Sequence, residues 1–105
     1  MATIELAGII LEVDEHGFIQ EPEKWNNDIA RAYALKDGIN DLTDDHWKAI
    51  NYLREYYLKK GICPMIRRAI KETGITLSRL YELFPEGPAN MACKWAGIPK
   101  PTGCV

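Results

Sequence analysis

The sequence predicts a mainly α-helical protein: a small bundle of about five helices, preceded by an N-terminal β-hairpin and followed by an extended C-terminal arm. Three observations carry this prediction. Residues 3–20 hold β-branched runs broken by turn residues, and from Trp25 onward apolar residues recur at helical spacing. The last nine residues contain two prolines and two glycines, a composition that excludes a helix.

Taken in order, Thr3 to Leu6 alternates weakly, Ala7-Gly8 can turn, and Ile9 to Val13 is rich in β-branched residues. His16-Gly17 offers a second turn before Phe18-Ile19, so a hairpin or a three-strand meander is expected. In the first helix, Ile29, Ala30, Tyr33 and Ala34 share a face and Gly38 follows the end. Thr43 is a good N-cap for a longer helix, with Asp44 and Asp45 at its positive end and Trp47, Ile50, Leu53 and Tyr57 along it. Lys59-Lys60-Gly61 suits its C-terminus. Pro64 fits the first turn of a third helix lined by Met65, Ile66, Ala69 and Ile70 and closed by Gly74. Thr76 caps a fourth through Phe84, and a fifth runs from about Ala89 to Ala96. One domain is therefore expected over residues 1–96 (hairpin 3–20, helices 26–96), with a flexible arm over 97–105.

With 105 residues and a net charge of −2, the chain is one small domain and no general polyanion binder. The N-terminus lacks a basic stretch followed by an apolar run, so no signal peptide is read and a cytoplasmic location is expected. Three cysteines, an odd number, argue against a structural disulfide framework in that setting.

Cys93 and Cys104 are the candidate reactive pair. Cys93 is placed at the edge of the last helix's apolar arc and is expected to be partly exposed. Cys104 is penultimate, on a segment rich in proline and glycine. The eleven steps between them reach roughly 35–40 Å when extended, which lets Cys104 visit a partner or fold back. One thiol attacks or carries sulfur and the other resolves the product, as thiol–disulfide exchange requires. Lys100 and Lys94 favour thiolate, whereas the terminal carboxylate opposes it at Cys104. On spacing alone, sulfur chemistry and an incidental pair both stay open. Cys63, between Ile62 and Pro64, reads as a small, inert, mostly buried residue.

Three other classes are weighed. Residues 66–84 have a helix–turn–helix pattern, and residues 54–72 carry a basic excess, but the second helix offers only Ser78, Arg79, Tyr81 and Glu82 outward, so nucleic acid is not the expected partner. His16, His46 and the cysteines lack the paired spacing of structural zinc, so no metal is expected. No phosphate loop, paired carboxylates or cofactor motif marks an independent enzyme, and His46 reads as a surface histidine.

The segments Leu83-Phe84-Pro85-Glu86-Gly87-Pro88-Ala89, Ala92-Cys93-Lys94 and Ala96-Gly97-Ile98-Pro99-Lys100-Pro101-Thr102-Gly103-Cys104-Val105 strongly resemble the DsrC/TusE sulfur-relay family. Val13-Asp14-Glu15-His16-Gly17-Phe18, His46-Trp47, Leu53-Arg54-Glu55-Tyr56-Tyr57 and Pro64-Met65-Ile66-Arg67 agree with it along the rest of the chain. Cys63 departs from the small residue common at its position. The resemblance implies a helical domain with a hairpin and a mobile arm, and no cofactor. TusE-like members keep only the penultimate cysteine and relay persulfide toward tRNA thiolation. Having both Cys93 and Cys104, this chain is similar to the DsrC branch. Those proteins insert the arm into dissimilatory sulfite reductase (DsrAB-type) near its sirohaem. They leave with sulfite-derived sulfur as a persulfide or trisulfide on the two cysteines. A membrane complex of the DsrMKJOP type then restores the dithiol, and sulfurtransferases are possible further partners. Arg67, Lys100 and Lys94 are the candidate supporting cations.

Overall fold

The computed structural model describes residues 2–99 of the protein. Strands β1 (Ala2–Leu6) and β2 (Ile9–Val13) pair antiparallel, with Ala2 opposite Val13 and Leu6 opposite Ile9. Ala7 and Gly8 both have positive φ, 54° and 79°, which matches the twist of a two-residue hairpin turn. Beyond β2 the expected third strand is reduced to a single bridge between Val13 and Ile19. The Asp14 carboxylate folds this turn by accepting from the backbone N–H of His16 and Phe18, each at 2.9 Å. Leu6, Leu11, Val13, Phe18 and Ile19 face the core.

Five α-helices follow a 3₁₀ turn at Pro22–Lys24: α1 (Asn27–Lys36), α2 (Asp44–Lys60), α3 (Ile66–Thr73), α4 (Leu77–Leu83) and α5 (Pro88–Trp95). Their starts follow the capping rules. The side chains of Asn26, Thr43 and Thr76 accept from the N–H of Ile29, His46 and Arg79 respectively. Gly61 and Gly74 close α2 and α3 in the left-handed conformation. Helix α3 begins at Ile66 rather than Pro64, because Met65 keeps an extended backbone and serves as N-cap. Met65 consequently does not line that helix and is 54% exposed.

Helix α5 is the centre of the fold. It packs against α1, α2 and α4, so it buries nearly its whole circumference rather than one arc. Trp95 is fully enclosed and meets Phe84 at a ring-centroid distance of 5.3 Å. His46 joins them, at 5.4 Å from Phe84 and 6.2 Å from Trp95. His46 is therefore a core residue, contrary to the surface position expected from its polar neighbours. Its ring completes the start of α2: Nδ1 accepts from the Thr43 N–H at 3.0 Å, and Nε2 donates to the Leu83 carbonyl at 2.9 Å.

A thiol pair at the root of the C-terminal segment

Cys93 lies one turn from the end of α5 and has no solvent exposure. This corrects the partial exposure expected of it. The apolar arc of an isolated helix leaves Cys93 at an edge, but α5 has neighbours on several sides, and they cover the edge too.

The end of α5 is closed completely. Ala96-Gly97-Ile98 forms a Schellman motif, with Gly97 at φ 70°. The Ile98 N–H donates to the Cys93 carbonyl and the Gly97 N–H to the Lys94 carbonyl, both at 3.2 Å. Two side chains from distant elements take the next two carbonyls. Trp25 Nε1 donates to the Trp95 carbonyl at 2.7 Å, and an Arg54 terminal nitrogen donates to the Ala96 carbonyl at 2.6 Å. Arg54 also reaches the Pro22 carbonyl at 3.4 Å. All four carbonyls that a helix end leaves orphaned thus have donors. A guanidinium at this negative end of the helix is favourable as well. Burial draws the Arg54 pKa down, yet an arginine remains a cation at neutral pH. Trp95 adds a bond of its own, from Nε1 to an Asp37 carboxylate oxygen at 2.8 Å.

Gly97 and Ile98 are both buried, so the packed body runs two residues past the expected start of the arm at 97. Cys104 and Lys100 lie outside the described residues.

A second sulfur sits beside Cys93. The Sγ of Cys63, on the loop between α2 and α3, is 3.5 Å from the Cys93 Sγ. Cys63 is half-buried, not mostly buried as expected, and it borders a small apolar cavity of about 30 Å³ with Leu53, Pro64, Leu80 and Ala92. Thirty residues separate the two cysteines in sequence, so no spacing rule pairs them.

Lys94 and Arg67, two of the three candidate supporting cations, line separate clefts. Lys94 is half-buried, with Nζ 6.0 Å from the Tyr33 ring centroid, and lines a cleft with His16, Phe18, Glu86 and Asn90. Arg67 is exposed on α3, in a shallow groove with Met65, Arg68 and Lys71. Arg54 and Trp25 are the positioning residues that sequence reasoning missed. Arg54 is one cation among many on a long helix, and nothing local marks its target 42 residues away. The described residues contain no cluster of three or more His, Cys, Asp or Glu placed to hold a metal, and no helix among them is long and apolar enough to cross a membrane.

A hairpin backed by five helices, with thiols gathered where the C-terminal segment leaves the last helix, defines a class of small cysteine-bearing helical proteins. The chain belongs to the DsrC family: the model described as "DsrC like protein" matches residues 5–105. It is 47% identical to the dissimilatory-type sulfite reductase subunit gamma of Nitratidesulfovibrio vulgaris, over the full length of both chains. It is also 38% identical to the sulfurtransferase TusE homolog of Haemophilus influenzae, covering 97% of this chain and 99% of that one. Among solved structures, the oxidized gamma-subunit of dissimilatory sulfite reductase (DsrC) from Archaeoglobus fulgidus superimposes with a TM-score of 0.88 at 41% identity, covering 99% of this chain and 100% of that one.

Proposed function

We propose that the protein is a sulfur carrier and co-substrate of a dissimilatory-type sulfite reductase, accepting sulfite-derived sulfur on Cys104 and Cys93. The observation that carries this reading is the placement of Cys93. Its thiol is enclosed at the base of the segment that bears Cys104, five residues before the last residue of the packed body. An enclosed thiol is protected from adventitious oxidants and is offered to the one sulfur tethered to it. The likeness to a reductase gamma subunit over the whole chain supports the choice of partner.

In this role the chain supplies two thiols and the partner supplies electrons. Sulfite, both thiols, two electrons and four protons give a trisulfide between Cys93 and Cys104 and three waters. The protein is a consumed and regenerated reactant rather than an independent catalyst. It works in the cytoplasm, and a membrane reductase complex of the DsrMKJOP type returns the dithiol. Lys100, Lys94 and Arg67 assist by favouring thiolate or attracting the anionic sulfur species. A TusE-like persulfide relay toward tRNA thiolation is the second reading, favoured by the TusE relative. It needs Cys104 alone.

Intact-mass analysis after incubation with sulfite, sulfite reductase and an electron donor separates the two readings. One added sulfur bridging Cys93 and Cys104 is expected, and it is lost in Cys93→Ala and in Cys104→Ala. A Cys93→Ala variant that accepts and passes sulfur as well as the parent favours the relay. A bridged product in both variants overturns the carrier assignment.

A further inference from the structure

Cys63 is a thiol that the sulfur cycle above does not use, yet its Sγ is 3.5 Å from the Cys93 Sγ. A disulfide needs about 2.05 Å between sulfurs, so a closure of roughly 1.5 Å by side-chain rotation joins them. The surroundings suit unequal roles. Cys63 is partly open to solvent, whereas Cys93 is fully enclosed. Solvent reaches Cys63, and the adjoining cavity of about 30 Å³ gives its side chain room to turn.

We propose that Cys63 is a second resolving thiol, which attacks Cys93 Sγ when Cys93 is joined through sulfur to Cys104 and so releases Cys104 as a persulfide. The inference rests on the Cys93–Cys104 bridge proposed above. In the step, Cys63 gives its proton to solvent and its sulfur lone pair forms the Cys63–Cys93 bond. The bond between Cys93 Sγ and the bridging sulfur breaks, and its electron pair departs on that sulfur as the Cys104 persulfide anion. A trisulfide and a thiolate become a disulfide and a persulfide, with no outside oxidant or reductant. A persulfide is a better leaving group than a thiolate, which favours this direction of attack. The body then keeps a disulfide, and the C-terminal segment carries transferable sulfur to a nucleophile on a partner protein.

Peptide mapping without reduction tests this. Trypsin places Cys63 in residues 61–67, Cys93 in 80–94 and Cys104 in 95–105. In the trisulfide-loaded parent, alkylated over a time course, we expect a disulfide joining 61–67 to 80–94 together with an alkylated persulfide on 95–105. In Cys63→Ala the bridge between 80–94 and 95–105 persists, and persulfide appears at least about ten-fold more slowly. Equal rates in the two proteins, with Cys63 fully alkylated throughout, overturn the proposal. Cys104→Ala treated with glutathione disulfide tests the pair independently of the bridge. Exchange should link 61–67 to 80–94 and release two glutathione thiols. Absence of that link overturns the inference even if the bridge forms, whereas a link without any bridge in the parent shows that the carrier reading has failed and the thiol pair has not.

Discussion

The Arg54 guanidinium lies 4.0 Å over the centroid of the Trp25 ring, and each of the two side chains donates to a neighbouring carbonyl at the end of α5. The contact restrains the guanidinium, and the ring in turn lies close against Gly97. Three separate pieces of sequence, at residues 22–25, 54 and 95–97, are tied together here.

Arg54→Lys retains a charge but loses the forked donor and most of the stacking, so it should destabilise the fold by about 1–2 kcal/mol. Arg54→Ala leaves the Ala96 carbonyl without its donor and should cost about 2–3 kcal/mol. Urea midpoints check both values. The rate at which Cys93 is alkylated, read on the peptide 80–94, should rise in the same order as the end of α5 opens more often.

Gly97→Ala meets two obstacles. The backbone is left-handed, at φ 70°, and the added Cβ would sit 2.4 Å from Cδ1 of Trp25. A loss of about 2–4 kcal/mol is expected from conformational strain plus overpacking. Gly74→Ala is the control. It has a similar φ of 76° but nothing within 4 Å of the new Cβ, so only the strain of about 1 kcal/mol remains. Equal losses at the two positions would show that Trp25 does not press on the chain.

His46 makes stability depend on pH. Burial lowers its pKa below the usual histidine range, outweighing the opposing bond to the Leu83 carbonyl. Because Nδ1 accepts from Thr43, protonation removes that acceptor. The folded pKa is the depressed one, so this contribution is complete above the unfolded value of about 6.5 and is lost as pH falls through the folded value. The urea midpoint should drop as pH falls below about 6.5, and His46→Gln should flatten that drop while costing about 1–3 kcal/mol at neutral pH.

Tyr33 and Tyr52 are both pushed up to about 12, chiefly by burial, and their substitutions should part company. The Tyr33 hydroxyl donates to the Gly17 carbonyl, so Tyr33→Phe should cost about 1–2 kcal/mol. The Tyr52 hydroxyl is buried and meets the Glu72 carboxylate without a well-formed hydrogen bond, so Tyr52→Phe should cost less than Tyr33→Phe, about 0–1 kcal/mol. Both raised values favour the protonated fold. Their contribution is whole below the unfolded pKa of about 10 and fades as pH rises toward about 12. Ultraviolet titration of the phenolates in each variant reads this directly.

Much of the local structure was legible because it is locally encoded. The hairpin turn at Ala7-Gly8, the caps at Thr43 and Thr76, and the helix ends at Gly61 and Gly74 stand where residue chemistry puts them. What escaped depends on long-range contacts. The burial of Cys93 and His46 is not legible in the sequence, because it depends on which helices surround α5 and helical periodicity describes one helix at a time. The Cys63–Cys93 approach and the Arg54 bond to Ala96 join residues 30 and 42 positions apart. One signal was available and unused: Ala96-Gly97-Ile98, a glycine followed by an apolar residue after a helix, is the pattern of a Schellman end, which puts Ile98 in the body rather than in the arm expected from 97.

That closed helix end fixes where the covalent path to Cys104 begins. With Ile98 pinned to the Cys93 carbonyl, the covalent path from the packed body to Cys104 is six residues long. Six residues span at most about 20–22 Å, little more than half the distance counted from Cys93 itself. On the carrier reading proposed above, a partner that exchanges sulfur with Cys104 must therefore bring its reacting atoms close to this protein's surface around Trp25 and Arg54. On that reading a shallow vestibule can be served, whereas a reacting centre deeper than about 20–22 Å is out of reach.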